Sequence, residues 1–195
     1  MNKIKLGFAM CGSFCTFEAS IVLMEKLADL GYDILPIMSF NASSLNTRFG
    51  KASDHIERIE NICGKSVVRT IEQAEPIGPQ RYTDIMLVCP CTGNTVAKLA
   101  NSITDTPVTM AVKSHLRNNL PVVIAVSTND ALTGSAKNIG ILQNTKNYFF
   151  VPMGQDNHTK KQSSLVANFQ AVPSAIEKAL LGEQIEPVML KAYQT

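Results

Sequence analysis

Short, continuous apolar runs alternate along this sequence with stretches whose apolar residues recur at helical spacing. The runs cover residues 4–10, 32–38, 85–89, 121–126 and 148–151. Runs of this length without polar alternation are typical of strands buried on both faces of a sheet. The alternation therefore predicts an α/β fold with a three-layer, doubly wound parallel sheet of the Rossmann-like kind, covered by helices on both faces.

The segments between the runs predict helices over residues 16–30, 54–63, 108–117 and 173–181, and another that begins near Asn94. Gly31, Gly64 and Gly182 follow three of these segments, where glycine commonly ends a helix. Asp54 and Glu57 have the spacing of a capping box at a helix start. No repeat or linker divides the sequence, so we expect one domain over residues 1–195.

Composition excludes several classes of partner and site. Lys and Arg total 18 against 16 Asp and Glu, and a formal net charge of +2 gives no reason to expect nucleic acid or a membrane surface. The first apolar run is too short for a signal-peptide core, so we expect a cytoplasmic protein. The five cysteines are expected as reduced thiols and no metal site is predicted, with Cys89 and Cys91 acting as small buried hydrophobic residues.

Three loops that follow predicted strands are rich in hydroxyl groups, amides and glycine. They cover residues 11–14, 39–41 and 90–94. In an open parallel sheet, ligands bind beyond the carboxyl ends of the strands, and these residue types suit an uncharged phosphate cradle. Turn geometry would explain one such loop, whereas three at one sheet edge favour a site. Because neither a dinucleotide fingerprint nor a Walker A sequence is present, a mononucleotide fits best.

One of these loops belongs to a longer motif. Residues 90–99 read Pro-Cys-Thr-Gly-Asn-Thr-Val-Ala-Lys-Leu, and residues 103–109 read Ile-Thr-Asp-Thr-Pro-Val-Thr. This segment resembles Pro-x-x-Ala-Asn-Thr-x-x-Lys-x-x-x-Gly-x-x-Asp of the homo-oligomeric flavin-containing cysteine decarboxylases, and the resemblance covers about residues 4–155. It implies a flavoprotein fold, an FMN cofactor and a homo-oligomer, a trimer or a multiple of it, with the flavin near a subunit boundary.

Site residues follow from the resemblance together with the positions of the loops. The candidate catalytic residues are Asn94 and Lys98, one turn apart on the predicted helix, and Asn129, which keeps the asparagine of the family's Pro-x-Met-Asn motif. The candidate cofactor-binding residues are Gly12, Ser13, Phe14, Ser39, Asn41, Pro90, Thr92, Gly93, Asn94, Thr95 and Ser127.

Two departures from the family pattern bear on the reaction. Pro76 stands where the cysteine decarboxylases carry a catalytic histidine, and Val126 and Thr128 replace the proline and methionine of their Pro-x-Met-Asn motif. The sequence therefore argues against thiol decarboxylation.

Other polar residues are ambiguous by sequence alone. His55 and His115 are expected at the surface, whereas His158 lies in a polar loop that is either solvated or able to contact a ligand. Lys113, Ser114 and Arg117 form either a basic exposed face or an anion contact.

The amino-acid sequence in three segments resembles one branch of the same family more closely, and that similarity runs over essentially the whole chain. The segments are residues 7–17, 88–95 and 129–140. The branch supplies one subunit of a two-subunit synthase in spore-forming bacteria. It implies a small dicarboxylate substrate, oxidation of a dihydro- or hydroxytetrahydro-dipicolinate to dipicolinate, and a dehydrogenase-like partner subunit that uses NAD(P). Two alternatives stay open: an FMN-dependent decarboxylase or flavin prenyltransferase for a small molecule, and a docking subunit that has lost the flavin.

Overall fold

A computed structural model describes residues 3–191, and residues 1–2 and 192–195, at the ends of the predicted unit, lie outside the described residues. Strands and helices alternate along the chain. The elements are β1 (Lys5–Met10), α1 (Phe17–Asp29), β2 (Asp33–Met38), α2 (Phe40–Ser44), α3 (Ala52–Cys63), α4 (Ile71–Ala74), β3 (Ile85–Cys91), α5 (Gly93–Ala100), α6 (Pro107–Leu116), β4 (Val122–Thr128), α7 (Ala136–Gln143), β5 (Tyr148–Phe150), β6 (Met153–Gly154), β7 (Leu165–Ala167) and α8 (Val172–Leu180).

The sheet confirms the predicted fold class. Strands β2, β1, β3, β4 and β5 lie side by side in that order and are all parallel. The chain starts in the middle of the sheet, winds outward to β2, and then crosses back over β1 to β3. This reversal places the carboxyl ends of β1 and β3 next to each other at the switch point, where ligands of doubly wound sheets bind.

Side chains that alternate along each strand build two separate apolar cores. One core joins Phe8 and Leu87 to helices α1, α3 and α8 on one face of the sheet. The other joins Val88 and Ile124 to helices α5, α6 and α7 on the opposite face. Both faces of the central strands are therefore buried, which explains why the sequences of these strands are unbroken apolar runs.

The structure adds an antiparallel extension that the sequence did not predict. The end of β4 pairs with β7, and β7 pairs with β6, both in antiparallel orientation. These strands have only two or three residues each, too few to produce a recognisable pattern. The extension brings the polar loop between them toward the carboxyl end of β4.

Helix ends show one correct prediction and one wrong one. Gly31, Gly64 and Gly182 adopt φ values of 93°, 62° and 77°, so each glycine supports a left-handed turn after a helix. The capping box predicted at Asp54 is wrong, because α3 begins at Ala52 and its N-cap residue Lys51 makes no side-chain cap.

Within residues 3–191, none of the helices has both the length and the apolar character needed to cross a bilayer.

Two histidines that were predicted at the surface are not exposed, and neither is Ser114, for which the sequence left an exposed face and an anion contact open. The ring of His115 is fully buried. His55 is half-buried and packs edge-on against Phe17, with ring centroids 5.1 Å apart. Ser114 is buried as well, and its Oγ accepts a hydrogen bond from the backbone N–H of Gly78 at 2.8 Å. The charged neighbours of these residues had suggested exposure, but helix rotation turns these three inward.

Candidate functional site

The loops after β1, β2 and β3 meet at the carboxyl edge of the sheet, as predicted. The backbone N–H of Cys11 donates to the carbonyl oxygen of Pro90 at 3.1 Å, which joins the first and third loops. The N–H of Ser39 donates to the carbonyl oxygen of Met10 at 3.0 Å, which joins the second loop to the first strand. The relative positions of the three loops are therefore set by the backbone itself.

Two neighbouring cavities open at this edge and share Gly12 and Thr92. The first, here called the Asn94 cavity, has a volume of about 490 Å³. Its predicted site residues are Gly12, Ser39, Asn41, Thr92, Asn94, Thr95 and Lys98. The second, here called the Arg48 cavity, has a volume of about 540 Å³. Its predicted site residues are Gly12, Ser13, Phe14, Thr92, Ser127 and Asn129.

Helix α5 presents its amino end to both cavities. Thr92 caps the helix, since its Oγ1 accepts a hydrogen bond from the N–H of Thr95 at 3.4 Å. Asn94 follows and is exposed at the cavity wall. Backbone N–H groups in the first turn of a helix have no partner within the helix and favour an anion or an acceptor atom. The Asn94 cavity thus offers amide and hydroxyl donors.

Lys98 is already paired inside the Asn94 cavity. Its Nζ lies 2.7 Å from Oδ1 of Asp105, which also lines the cavity, and this bond lowers the pKa of the Asp105 carboxyl. The pair joins helix α5 to the segment before α6. Lys98 therefore contributes a positive charge that is largely neutralised by its partner, so the cavity is close to electrically neutral.

Cys11 forms part of the floor of the Asn94 cavity. Hydrogen bonding from Cys91 lowers the pKa of the Cys11 thiol although burial opposes the shift, and Oγ1 of Thr95 donates to its Sγ at 3.1 Å. Burial raises the pKa of Cys89 and of Cys91. All five cysteines are free thiols, and Cys89 and Cys91 are buried among apolar neighbours, as the sequence suggested.

Three hydroxyl groups form a cluster at the Arg48 cavity. Oγ of Ser13 lies 2.9 Å from Oγ of Ser127, and Oγ1 of Thr16 lies 3.1 Å from Oγ of Ser13. The cluster connects the loop after β1 to the end of β4. Asn129, the third candidate catalytic residue, is exposed at the wall of the same cavity and not of the Asn94 cavity.

Two predicted cofactor-binding residues line neither cavity. Pro90 is buried within β3. Gly93 packs beneath α5, where a Cβ atom would lie 2.5 Å from Oγ of Ser135 and 2.7 Å from Oδ1 of Asp130. Gly93 is therefore needed for the close approach of α5 to the loop after β4. Gly12 differs, because a Cβ there would meet only Phe14 and Asn41 at ordinary distances of 3.5 and 3.6 Å.

The remaining candidates lie away from both cavities. His158 is exposed in the loop between β6 and β7 and lines neither cavity, and the other two histidines do not line them either. Lys113 and Arg117 line a third cavity of about 380 Å³ beside Tyr148. No histidine is thus available for proton transfer at the two cavities, which agrees with the absence of one at Pro76.

Sequence reasoning missed several residues of the Arg48 cavity. Arg48 and Phe49 come from the loop before α3, whereas Asp156 and Lys161 come from the loop between β6 and β7. Neither loop directly follows a strand of the parallel sheet, so the strand-end rule could not find them. The only signal was an isolated arginine and phenylalanine between the predicted strand that ends at residue 38 and the predicted helix that begins at residue 54.

The chain matches the family model described as flavoprotein over residues 1–177. It is 44% identical over 190 residues to the B subunit of dipicolinate synthase from Bacillus subtilis, covering 97% of this chain and 95% of that protein. The crystal structure of the corresponding B subunit of dipicolinate synthase from Bacillus halodurans superimposes with a TM-score of 0.89 at 42% identity, covering 99% of this chain and 100% of that one.

A more distant structural relative shares the fold alone. The FMN-dependent cysteine decarboxylase SpaF superimposes with a TM-score of 0.69 at 24% identity, covering 91% of this chain and 95% of that one. The high coverage in both directions means that the fold is shared along nearly the whole chain.

Proposed function

The chain belongs to the flavoprotein family, and from this membership we propose that it acts as the B subunit of a dipicolinate synthase. In this role it binds FMN and, with a dehydrogenase-like A subunit that carries NAD(P), oxidises dihydrodipicolinate or its hydroxytetrahydro precursor to dipicolinate during sporulation. The observation that carries the proposal is 44% identity over nearly the full length of both proteins.

The donor set of the two cavities fits FMN. Their adjoining walls supply neutral hydroxyl and amide groups from Ser39, Asn41, Thr95 and Ser13, and Gly12 leaves the junction free of a side chain. A phosphate monoester accepts hydrogen bonds from such groups and from a helix start. We propose that the cofactor extends across this junction, and bound FMN would supply a two-electron acceptor there.

The chain's own residues would then bind and orient the reactants. Asn94 would donate from the α5 start, Lys98 would hold the segment around Asp105 in place, and Asn129 would face the substrate from the Arg48 cavity. Aromatisation of the ring supplies driving force, so positioning is the main task of the protein.

Thiol decarboxylation receives less support from the site. That reaction in the related decarboxylases relies on a histidine, and here Pro76 occupies the corresponding place in a 3-10 turn before β3. None of the three histidines lines the Asn94 or the Arg48 cavity.

The proposal also includes the location and the assembly of the protein. We propose that it acts in the cytoplasm, which suits five free thiols, and that its working form is a homo-oligomer.

The test of cofactor binding is an FMN titration of the purified chain followed by its visible absorption. Wild type should bind FMN stoichiometrically, and Asn94→Ala should weaken binding by about tenfold, the loss expected for one or two hydrogen bonds. Asn61→Ala, on the exposed face of α3, is the matched control and should bind like wild type.

The test of the reaction is dipicolinate formation by the co-purified A and B subunits. The pair should form dipicolinate faster than the A subunit alone. An equal rate with and without this chain would overturn the assigned role. A chain that accelerates the partner but takes up no FMN would instead identify a docking subunit that has lost the flavin.

A further inference from the structure

We propose that Arg48 is a carboxylate-binding residue that, together with Asn129, recognises a small planar dicarboxylate in the Arg48 cavity. This inference rests on the proposed function and extends it, since it names the residue that selects the substrate class.

The charge of Arg48 has no partner within residues 3–191. No carboxylate lies within ion-pair distance of its guanidinium, and none of its N–H groups donates to an acceptor among these residues. Arg58, by contrast, is paired with Glu18 and Glu25. A planar guanidinium with its donor fork free at a cavity wall is suited to bind a carboxylate in a bidentate manner.

The loop that carries Arg48 is closed by three hydrogen bonds. Thr47 and Gly50 exchange two backbone hydrogen bonds of 3.0 and 3.1 Å, and Oδ1 of Asn46 accepts from the N–H of Ala52 at 2.9 Å. The guanidinium carbon lies 4.8 Å from the centroid of the Phe49 ring, which limits its orientation. The loop backbone is thus fixed at its two ends, and the guanidinium of Arg48 is exposed to solvent at the cavity wall, where a ligand can reach it.

The ring of His55 packs against the backbone of this loop. A Cβ atom at Gly50 would lie 2.6 Å from Nε2 of His55, so the loop backbone rests directly on the imidazole. The ring in turn packs on Phe17, in the core under the loop after β1. His55 of α3 therefore contacts both the Arg48 loop and α1.

The charges around the cavity favour a dianion over a cation. Its charged lining residues are Arg48, Lys161 and Asp156, which sum to a formal charge of +1. Lys161 forms an ion pair with Asp156, with 2.7 Å between Nζ and Oδ2. The positive charge without a partner in the cavity is therefore that of Arg48. The side-chain amide of Asn129 adds a neutral donor in the same cavity, so one carboxylate can pair with Arg48 while the other accepts from Asn129.

The test is a calorimetric titration of dipicolinate into the full chain, with and without FMN. Wild type should bind the probe, Arg48→Gln should bind it at least tenfold more weakly, and Arg48→Lys should fall between them because it keeps the charge but loses the fork. Arg81→Gln is the matched control: it removes an exposed arginine before β3, at the opposite edge of the sheet, and should change affinity by less than twofold. Picolinate, with one carboxylate, should bind more weakly than dipicolinate to wild type.

Three results would overturn the inference: no binding of dipicolinate by wild type, equal affinity in Arg48→Gln, or a loss of FMN affinity in that variant with dipicolinate binding intact. The last result would assign Arg48 to the flavin phosphate. These experiments distinguish a failure of this inference from a failure of the proposed function. If the two subunits form no dipicolinate but the chain binds it through Arg48, only the proposed function fails. If the pair is active and Arg48→Gln leaves its KM unchanged, only the present inference fails.

Discussion

The hydroxyl oxygen of Thr83 lies 2.8 Å from Nδ1 of His115 in the core beside β3. Nε2 of the same ring lies 3.0 Å from the carbonyl oxygen of Pro121, which can only accept a hydrogen bond. The proton of the neutral ring therefore sits on Nε2, and Nδ1 accepts from Thr83. The imidazole thus joins α6 to the residues that enter β3 and β4, and protonation at Nδ1 would reverse the bond with Thr83 and place a charge in the core.

This arrangement predicts acid sensitivity of folding stability. Burial lowers the pKa of His115 to about 4, from about 6.5 in the unfolded chain. The contribution of the neutral His115 ring to the free energy of unfolding is complete above pH 6.5. It is lost as the pH falls from 6.5 to 4, because in this range the unfolded chain binds a proton that the folded chain does not. Over pH 7.5 to 5, the free energy of unfolding should fall by about 2 kcal/mol from this residue.

Urea unfolding of wild type and His115→Gln at both pH values measures this contribution. The variant should be less stable at pH 7.5, with a smaller difference from wild type at pH 5. His158→Gln removes an exposed imidazole and should follow wild type at both values. Parallel pH profiles for wild type and His115→Gln would contradict the prediction.

Replacement of Gly93 by alanine should destabilise the fold. The added Cβ would meet the side-chain oxygens of Ser135, Asp130 and Thr128 at 2.5 to 2.8 Å, and the hydrogen bonds that both hydroxyl groups donate to Asp130 would have to shift. The expected cost is about 1–3 kcal/mol, typical of overpacking, together with weaker FMN binding. Gly140→Ala is the control, because its Cβ would meet nothing within 4 Å and alanine favours the helix, so thermal unfolding should shift upward. Equal melting temperatures for both variants would argue against close packing at Gly93.

The hydrogen bond between Ser13 and Ser127 should couple the first loop to β4. A double-mutant cycle with Ser13→Ala and Ser127→Ala should give an interaction free energy of about 0.5–1.5 kcal/mol in unfolding. Each single variant should also weaken FMN binding severalfold, since both hydroxyl groups face the cavity. Ser53→Ala, on exposed α3, should change neither property. Strict additivity in unfolding would show that the bond carries no coupling.

Ser102 falls at the glycine position of the motif that residues 90–105 resemble, and its φ of 56° lies in the left-handed region. Ser102→Gly should therefore stabilise the chain by about 0.5–1 kcal/mol, since relief of the backbone strain outweighs the extra freedom of the unfolded chain. Ser102→Ala keeps the strain and should give no gain. Chemical unfolding of the three proteins distinguishes these outcomes, and stabilisation by alanine would show that the strain is absent.

Much of the architecture follows from local pattern. The run around Leu87 is apolar at every position because both faces of its strand are buried, and that pattern alone predicted a central parallel strand. Ser39 and Asn94 were found because polar residues after parallel strands must gather at one edge. The short strands β6 and β7 were missed because two or three residues carry no periodicity.

The sequence by itself determined the fold class and the loops that approach one another, because strand burial and loop chemistry act over a few neighbouring residues, and the resemblance of residues 90–109 to a known motif indicated the family. Tertiary structure alone decided which side chains meet. His115 stands among charged neighbours yet points into the core, and Arg48 comes from a loop outside the strand-end pattern yet lines a cavity with Ser127. Such contacts depend on helix rotation and on packing between segments far apart in the chain, which local periodicity does not encode.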